Sequence, residues 1–481
     1  VADVTATFLW YDLETFGRDA RRSRIAQFGA IRTDPELNPV DAPLSITCKP
    51  ADDLLPSPTA VVLTGITPQR AERDGMIEAE FMARLHQEFS RPGTCAVGYN
   101  SLRFDDEFVR HGLYRNFFDP YEREWRHGNS RWDLLDLMRL AYALRPEGVH
   151  WPCHADGIVS FKLEHLAAAN DLTHTRAHDA LSDVEATLAL ARRVREAQPR
   201  LFDYYLGLRN KSRVAAMLDY ANMTPVLHVS GRFPAAQRCA AVVLPIAPHP
   251  SIANRILACD LGPDPTPLLD LDPDDIADRL FTPTRDLPEG VERIALKEIH
   301  LNRCPALIEL RHLGESDLER LQLDLDRCES HAHRLRQHQG LAEKVRRVYA
   351  RRGERDASDP DLALYDGFPN ESDRARLADV RRATPEQLAR NRIEFKDPRY
   401  DELLFRYRAR NWPETLDAEE SDRWLAFRRC KLESDKGLSE YTFESYFAEI
   451  DALRLARGNE AGVPVLLDAL QAWGLRTQPP A

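Results

Sequence analysis

The sequence predicts a mixed α/β domain, then a small β domain, then a helical one, and three observations carry that division. Up to about residue 197, apolar runs of strand length alternate with amphipathic helical stretches. From 198 to 352, short apolar runs are separated by proline-rich turns, the pattern of a small barrel or open sheet. From 353 to 481, apolar residues recur at three- and four-residue spacing, as at Leu453, Leu455, Leu466, Leu467, Leu470 and Trp473. A chain of 481 residues is in any case too long for one hydrophobic core.

The first strand is the run Phe8-Leu9-Trp10-Tyr11-Asp12-Leu13-Glu14-Thr15-Phe16, stopped by Gly17. Side chains alternate along a strand, so Asp12 and Glu14 share one face while Leu13 turns to the core. Further strands are expected at 25–32 and 44–50, a hairpin-like distance apart, and at 95–100. Pro56, Pro58 and Gly65 punctuate a loop, and helices follow at 79–89, 105–114, 133–144, 163–170 and 179–197. Three antiparallel strands followed by alternating strands and helices imply a mixed sheet. In the second segment a helix at 201–218 precedes strands at 226–229, 240–244, 255–259 and 294–299, and a helix at 317–349 closes it. The charged, breaker-rich stretch 351–360 reads as a linker.

Composition excludes several classes. The longest apolar runs, such as Ala240-Ala241-Val242-Val243-Leu244, are far too short to cross a bilayer. No basic segment leads into an apolar one at the start, so no secretory signal is expected. The eight cysteines are scattered with no Cys-x-x-Cys pair, which fits a reduced cytoplasmic protein. His150-Trp-Pro-Cys153-His154 has no second cluster at ligand spacing, so structural zinc is not expected. A net charge of −12 leaves room for a local basic channel.

Three stretches carry the chemistry. Asp12 and Glu14 on one rigid strand offer hard oxygen ligands suited to Mg²⁺ or Mn²⁺. In Gly98-Tyr99-Asn100-Ser-Leu-Arg-Phe104-Asp105-Asp106, Asp105 falls where a strand ends and a helix begins; it either caps that helix or brings a carboxylate beside the first strand. In Ala177-His178-Asp179-Ala180-Leu181-Ser182-Asp183, five residues of ideal helix separate two side chains by about 140°. His178 and Asp183 therefore meet only if His178 lies on the segment entering the helix; otherwise both are surface groups. Four carboxylates in one cleft require roughly two divalent cations to offset their charge. Histidine, with an ordinary pKa of about 6.5, is suited to take a proton from an attacking water. Near the C-terminus, Arg406, Arg408, Arg410, Arg423, Arg428 and Arg429 interleave with Phe405, Tyr407, Trp412, Trp424 and Phe427. That mixture fits single-strand binding by phosphate contacts and base stacking. It equally fits buried aromatics under a solvated arginine face.

Asp12-x-Glu14, Asp105 and His178-x₄-Asp183 resemble the signature of the DEDD exonucleases in their histidine subclass. Whole phrases narrow the resemblance to the bacterial exonuclease I family: Tyr11-Asp-Leu-Glu-Thr-Phe-Gly17, Thr64-Gly-Ile-Thr-Pro68, Arg103-Phe-Asp-Asp-Glu107, Asn129-Ser-Arg-Trp-Asp-Leu-Leu-Asp136, His228-Val-Ser-Gly231, Tyr365-Asp-Gly-Phe368 and Tyr407-Arg-Ala-Arg-Asn411. The resemblance implies an RNase H-like exonuclease domain at 1–197, an SH3-like β domain with flanking helices at 198–352 and an all-helical C-terminal domain at 353–481. It implies processive 3′→5′ digestion of single-stranded DNA to 5′-mononucleotides in DNA repair and recombination, in the cytoplasm of a bacterium, by a monomer. Asp12, Glu14, Asp105 and Asp183 would hold two Mg²⁺ ions, with Mn²⁺ able to substitute, and His178 would be the base. Thr15, Arg110, Tyr121, Trp125, Arg139, Lys162, Lys297, His300, Asn302, Arg303, Tyr365, Arg408 and Arg410 would face a DNA strand with a 3′ end. Arg145, Tyr204 and Arg336 would hold the acidic C-terminal tail of single-strand DNA-binding protein. The chain departs from the family pattern at Lys162, where arginine is expected, and at Pro248, where tryptophan is expected. An enzyme acting on RNA ends and a non-catalytic scaffold are the alternatives. The long C-terminal half argues against the first, and the complete set of five site residues against the second.

Overall fold

The computed structural model describes residues 6–174, 178–350, 358–390 and 393–479, so most of the expected linker, 351–357, lies outside the described residues. The chain divides into two compact units: 1–130 with 174–188 and 355–481, and 131–173 with 189–354.

In the first unit, β1 (Thr7–Thr15), β2 (Ile25–Thr33), β3 (Leu44–Thr47) and β4 (Thr94–Gly98) lie in the order β3-β2-β1-β4. β1 runs antiparallel to β2 and parallel to β4, which makes the mixed sheet that the sequence implies. Leu9, Tyr11 and Leu13 of β1 pack with Phe28 against Phe81, Leu85 and Phe89 of the helix Glu78–Phe89 and Phe108 and Leu113 of the helix Asp105–Arg115. That burial fixes the register, because a one-residue slip would turn Asp12 and Glu14 into the core. The C-terminal helices belong to the same unit. Val61 and Val62 of the helix Pro58–Thr64, which starts on a Ser57 cap and a first-turn proline, pack against Tyr446, Ile450, Leu467, Leu470 and Trp473. Tyr114 and Phe117 pack against Tyr400, Leu403 and Tyr407 of the helix Pro398–Asn411.

The chain's next strand, β5 (Ser130–Asp133), was not expected; it ends on Asp133, whose carboxylate accepts from Leu135 N and caps the helix Leu134–Leu144. In the second unit, β6 (Val226–Val229), β7 (Ala240–Pro248), β8 (Arg255–Asp260), β9 (Leu296–His300) and β10 (Ala306–Glu309) form an antiparallel sheet in the order β10-β6-β7-β8-β9. The expected helix at 317–349 is three helices, Glu315–Leu321, Leu325–Gln337 and Leu341–Ala350, separated where Gln322 (φ 52°) and Gly340 (φ 77°) turn left-handed. The expected helix at 201–218 is likewise two, Pro199–Gly207 and Lys211–Met217, the second begun by an Asn210 cap. Among the described residues no helix is long and apolar enough to cross a membrane, and all eight cysteines are free.

Candidate active site

β1 presents Asp12 and Glu14 on the face opposite Leu13, paired across β2 with Gly29 and Gln27. The absence of a side chain at Gly29 is what lets the helix Ala180–Ala197 start against the sheet. A Cβ at Gly29 would stand 2.5 Å from the carbonyl carbon of Ala180 and 2.6 Å from the nitrogen of Leu181. Ala180 N donates to Gln27 Oε1 at 3.3 Å. Main chain is thus docked on the strand beside the two acids, and the helix carries Asp183 to them. Neither Gly29 nor Gln27 stood out in the sequence; a glycine inside an apolar strand was the available signal.

Asp105 is the first residue of its helix, and its Oδ1 accepts from Leu13 N at 3.2 Å. Of the two readings left open, the carboxylate therefore faces β1. Beyond it, Asp106 Oδ1 accepts from Tyr11 Oη at 2.9 Å and from the buried Arg123 Nη2 at 2.6 Å, which ties the start of this helix to the strand. Asp179 begins the third piece: its carboxylate accepts from Ser182 N at 3.2 Å and its carbonyl from Asp183 N at 3.0 Å. His178 precedes that cap in a left-handed conformation (φ 64°), off the helix. The structure thus brings His178 to Asp183 in the way their spacing requires, through a left-handed backbone conformation. One ligand atom each from Glu14, His178 and Asp183 lie within 4.8 Å of one another. A histidine the sequence reading passed over joins them: His174 Nε2 donates to Asp183 Oδ1 at 2.5 Å.

Electrostatics follow from this packing. Burial, then Asp105, Glu14 and Asp183, pushes the Asp12 carboxyl well above the ordinary range. Burial, then Asp183, Asp105 and Asp179, pushes Glu14 up to about 8. Burial raises Asp183 as well, opposed by His174 and His178. Acids placed this way ionise together only beside a cation. The donor set, carboxylate oxygens and one imidazole, suits a divalent cation, so the residues fit a metal. They border a cleft of about 510 Å³ whose walls also include Thr15, Arg18, Leu63, Tyr99 and Asn100.

The remaining expected contacts fall in several places. In the first unit Thr15 lies on the cleft wall, its Oγ1 donating to the Gly17 carbonyl at 2.7 Å. Trp125 and Tyr365 are exposed, and the Tyr121 ring meets the exposed Phe368 edge-on at 5.7 Å. Arg110 is buried, forked onto Glu124 at 2.7 and 3.0 Å. Arg408 and Arg410, also expected to face the strand, are held in ion pairs. Arg408 is buried against Glu420 at 2.6 and 3.0 Å. Arg410 donates to Asp53 at 2.9 Å and Asp361 at 2.6 Å. The Arg410 guanidinium is thus closed in by two buried carboxylates, which ties it to the fold. Burial by itself would raise the Asp53 carboxyl, but Arg410, Lys431 and Arg24 hold it well below the usual range.

In the second unit Arg139 pairs with Asp136 at 2.7 Å, and the exposed Lys162 with Glu164 at 3.5 Å. Lys297 is mostly buried with its Nζ 3.5 Å above the Phe233 ring, His300 stands 3.9 Å from Glu298, and Asn302 and Arg303 are half-buried. Arg145 pairs with Asp317 at 2.5 Å, the Tyr204 hydroxyl donates to the Leu307 carbonyl at 2.8 Å, and Arg336 donates to Glu329 at 2.7 Å.

Three family models match the chain: "Exonuclease" over residues 9–191, "Exonuclease I SH3-like domain" over 209–351 and "Exonuclease I C-terminal domain" over 358–477. The chain is 47% identical over 425 residues to exodeoxyribonuclease I of Escherichia coli K12, covering 88% of this chain and 89% of that one. It is 41% identical to the exodeoxyribonuclease I of Haemophilus influenzae over 429 residues, 89% of this chain and 91% of that one. Among solved structures, the moderately thermophilic exonuclease I of Methylocaldum szegediense superposes with a TM-score of 0.94 at 50% identity, over 98% of this chain and 99% of that one. E. coli exonuclease I in complex with a dA16 oligonucleotide superposes with a TM-score of 0.94 at 44% identity, over 98% of this chain and all (100%) of that one. A zinc-bound form of the E. coli enzyme with single-stranded DNA superposes at 0.92. Matched over nearly its whole length, with each part in the same order, the chain belongs to the exonuclease I family.

Proposed function

We propose that the protein is a 3′→5′ exodeoxyribonuclease that degrades single-stranded DNA processively, releases 5′-mononucleotides, and serves DNA repair and recombination. The observation that carries this reading is the meeting of Asp12, Glu14, Asp105, His178 and Asp183 around one cleft from three separate stretches of chain. Asp12, Glu14, Asp105 and Asp183 would hold two Mg²⁺ ions, with Mn²⁺ able to substitute. Cations bound there supply the lowered pKa of an attacking water and offset charge on the departing 3′ oxygen. The chain's own residues do the rest. His178, off the helix and beside Glu14 and Asp183, accepts the proton of the water. Thr15 shapes the cleft wall at the end of β1, and Trp125 and Tyr365 offer exposed rings for base stacking.

The division at 197/198 and 352/353 into exonuclease, SH3-like and helical domains is supported by the three matched ranges. In the second unit, Arg139, Lys162, Lys297, His300, Asn302 and Arg303 would face the DNA strand, and in the first, Arg110, Tyr121, Arg408 and Arg410 would do so. Arg145, Tyr204 and Arg336 would receive the acidic tail of single-strand DNA-binding protein. The protein would act as a monomer in the bacterial cytoplasm.

The test is digestion of 5′-labelled DNA and RNA oligonucleotides with Mg²⁺ or EDTA. A ladder on DNA alone, abolished by EDTA, is expected. Equal digestion of RNA would indicate a ribonuclease, and tight binding without cleavage a scaffold; either would overturn the reading.

A further inference from the structure

Resting on that reading, we propose that Arg18 grips a phosphate of the bound strand at the mouth of the cleft, and that Glu440 positions it. A cleft walled by Asp12, Glu14, Asp105 and Asp183 repels the polyanion it must admit, so a cation at its rim has a purpose. Arg18 is the one arginine or lysine on that wall among the described residues. Its side chain is exposed, and its guanidinium makes no ion pair or hydrogen bond among the described residues. Of the nearby arginines, Arg22 pairs with Asp19 at 2.5 Å, Arg24 and Arg115 are buried around Glu78, and the exposed Arg21 does not line the cleft. A planar fork left open beside an acidic cleft matches a phosphodiester oxygen pair.

The turn that carries Arg18 is held from the far end of the chain. Glu440 Oε1 accepts from Arg18 N at 2.9 Å and from Asp19 N at 2.7 Å. Gly17 makes room for this carboxylate; a Cβ there would lie 1.8 Å from Glu440 Oε2. Arg22 Nε adds a bond to the Gly437 carbonyl at 2.5 Å. Two successive N–H groups closed on one carboxylate fix the main chain, so the Arg18 side chain starts from a set point rather than from a loose loop. Glu440 is not among the residues that line the cleft, and it acts through Arg18.

The experiment measures binding of a 5′-fluorescein oligothymidylate to the full-length protein in EDTA, by anisotropy, over a salt series. Arg18→Ala is expected to weaken binding roughly threefold at low salt and to flatten the log–log salt slope by about 0.7. Arg18→Lys should recover the slope. With Mg²⁺, Arg18→Ala should raise KM by a larger factor than it lowers kcat. Glu440→Ala should shift binding the same way, Glu440→Gln by less, and Arg18→Ala with Glu440→Ala should bind no worse than Arg18→Ala alone. Wild-type affinity and slope in Arg18→Ala would overturn the phosphate contact, and additive losses in the double variant would overturn the positioning role. If the wild-type protein itself fails to bind the oligonucleotide, it is the nuclease reading that falls.

Discussion

His174 Nε2 donates to Asp183 Oδ1 at 2.5 Å, so one oxygen of a cleft carboxylate is fixed from behind by a histidine four residues before His178. A carboxylate held on one oxygen presents the other in a set direction. Such supporting partners orient metal ligands and raise their share of the ionised form.

His174→Ala should therefore lower Mn²⁺ affinity of the full-length protein roughly tenfold to a hundredfold, read by isothermal titration calorimetry. His174→Gln, which keeps a donor, should recover part of the loss. Unchanged affinity in His174→Ala would show that the contact supports nothing.

Glu14, pushed up to about 8, is protonated at neutral pH until a cation arrives. A carboxyl whose pKa rises on folding stabilises the fold fully below its unfolded value, about 4.3, and loses that contribution as pH climbs through the folded value. The EDTA-treated protein should lose thermal stability from about pH 5 to about pH 8 more steeply than Glu14→Gln does, and Mg²⁺ at the upper end should restore it. Parallel profiles for the two proteins in calorimetry would contradict the assignment.

Gly29 stands opposite Asp12 and under the first turn of the helix that carries Asp183. Gly29→Ala puts a methyl into main chain that cannot yield as a side chain would. The helix should shift off the strand, with activity falling about a hundredfold at a cost of roughly 1–3 kcal/mol in stability. Full activity in a well-folded Gly29→Ala variant would show that the docking is looser than described.

Arg410 closes a buried network with Asp53 and Asp361, which Lys431 and Arg406 complete at 2.6 and 2.9 Å. Arg410→Ala leaves buried carboxylates short of their main partner and should cost about 3–5 kcal/mol in denaturant unfolding. A loss of DNA affinity at unchanged stability would instead show that Arg410 acts on the strand.

The site was legible where chemistry and period coincide. Asp12-x-Glu14 on a strand and His178 five residues before Asp183 each constrain side-chain direction, and the structure sets His178 off the helix as that spacing demands. The fold was legible where runs are long, as in β1 and β2, and less so where short pieces rely on distant partners. β10 is four residues long and pairs with β6, far back in the chain. The arginine-aromatic run stayed open between two readings because spacing on a helix does not reveal which face a partner covers, and here Asp53, Asp359 and Asp361 cover Arg406 and Arg410. His174, Gly29 and Glu440 escaped notice for a related reason: each acts through one contact with a residue that sequence spacing does not point to.

The most direct test is anomalous diffraction from crystals of the protein soaked in Mn²⁺ with a single-stranded oligonucleotide ending at the cleft. Two manganese peaks within coordination distance of Asp12, Glu14, Asp105 and Asp183, flanking the last phosphodiester, are predicted. Ordered DNA in the cleft with no manganese at these four carboxylates would contradict the account.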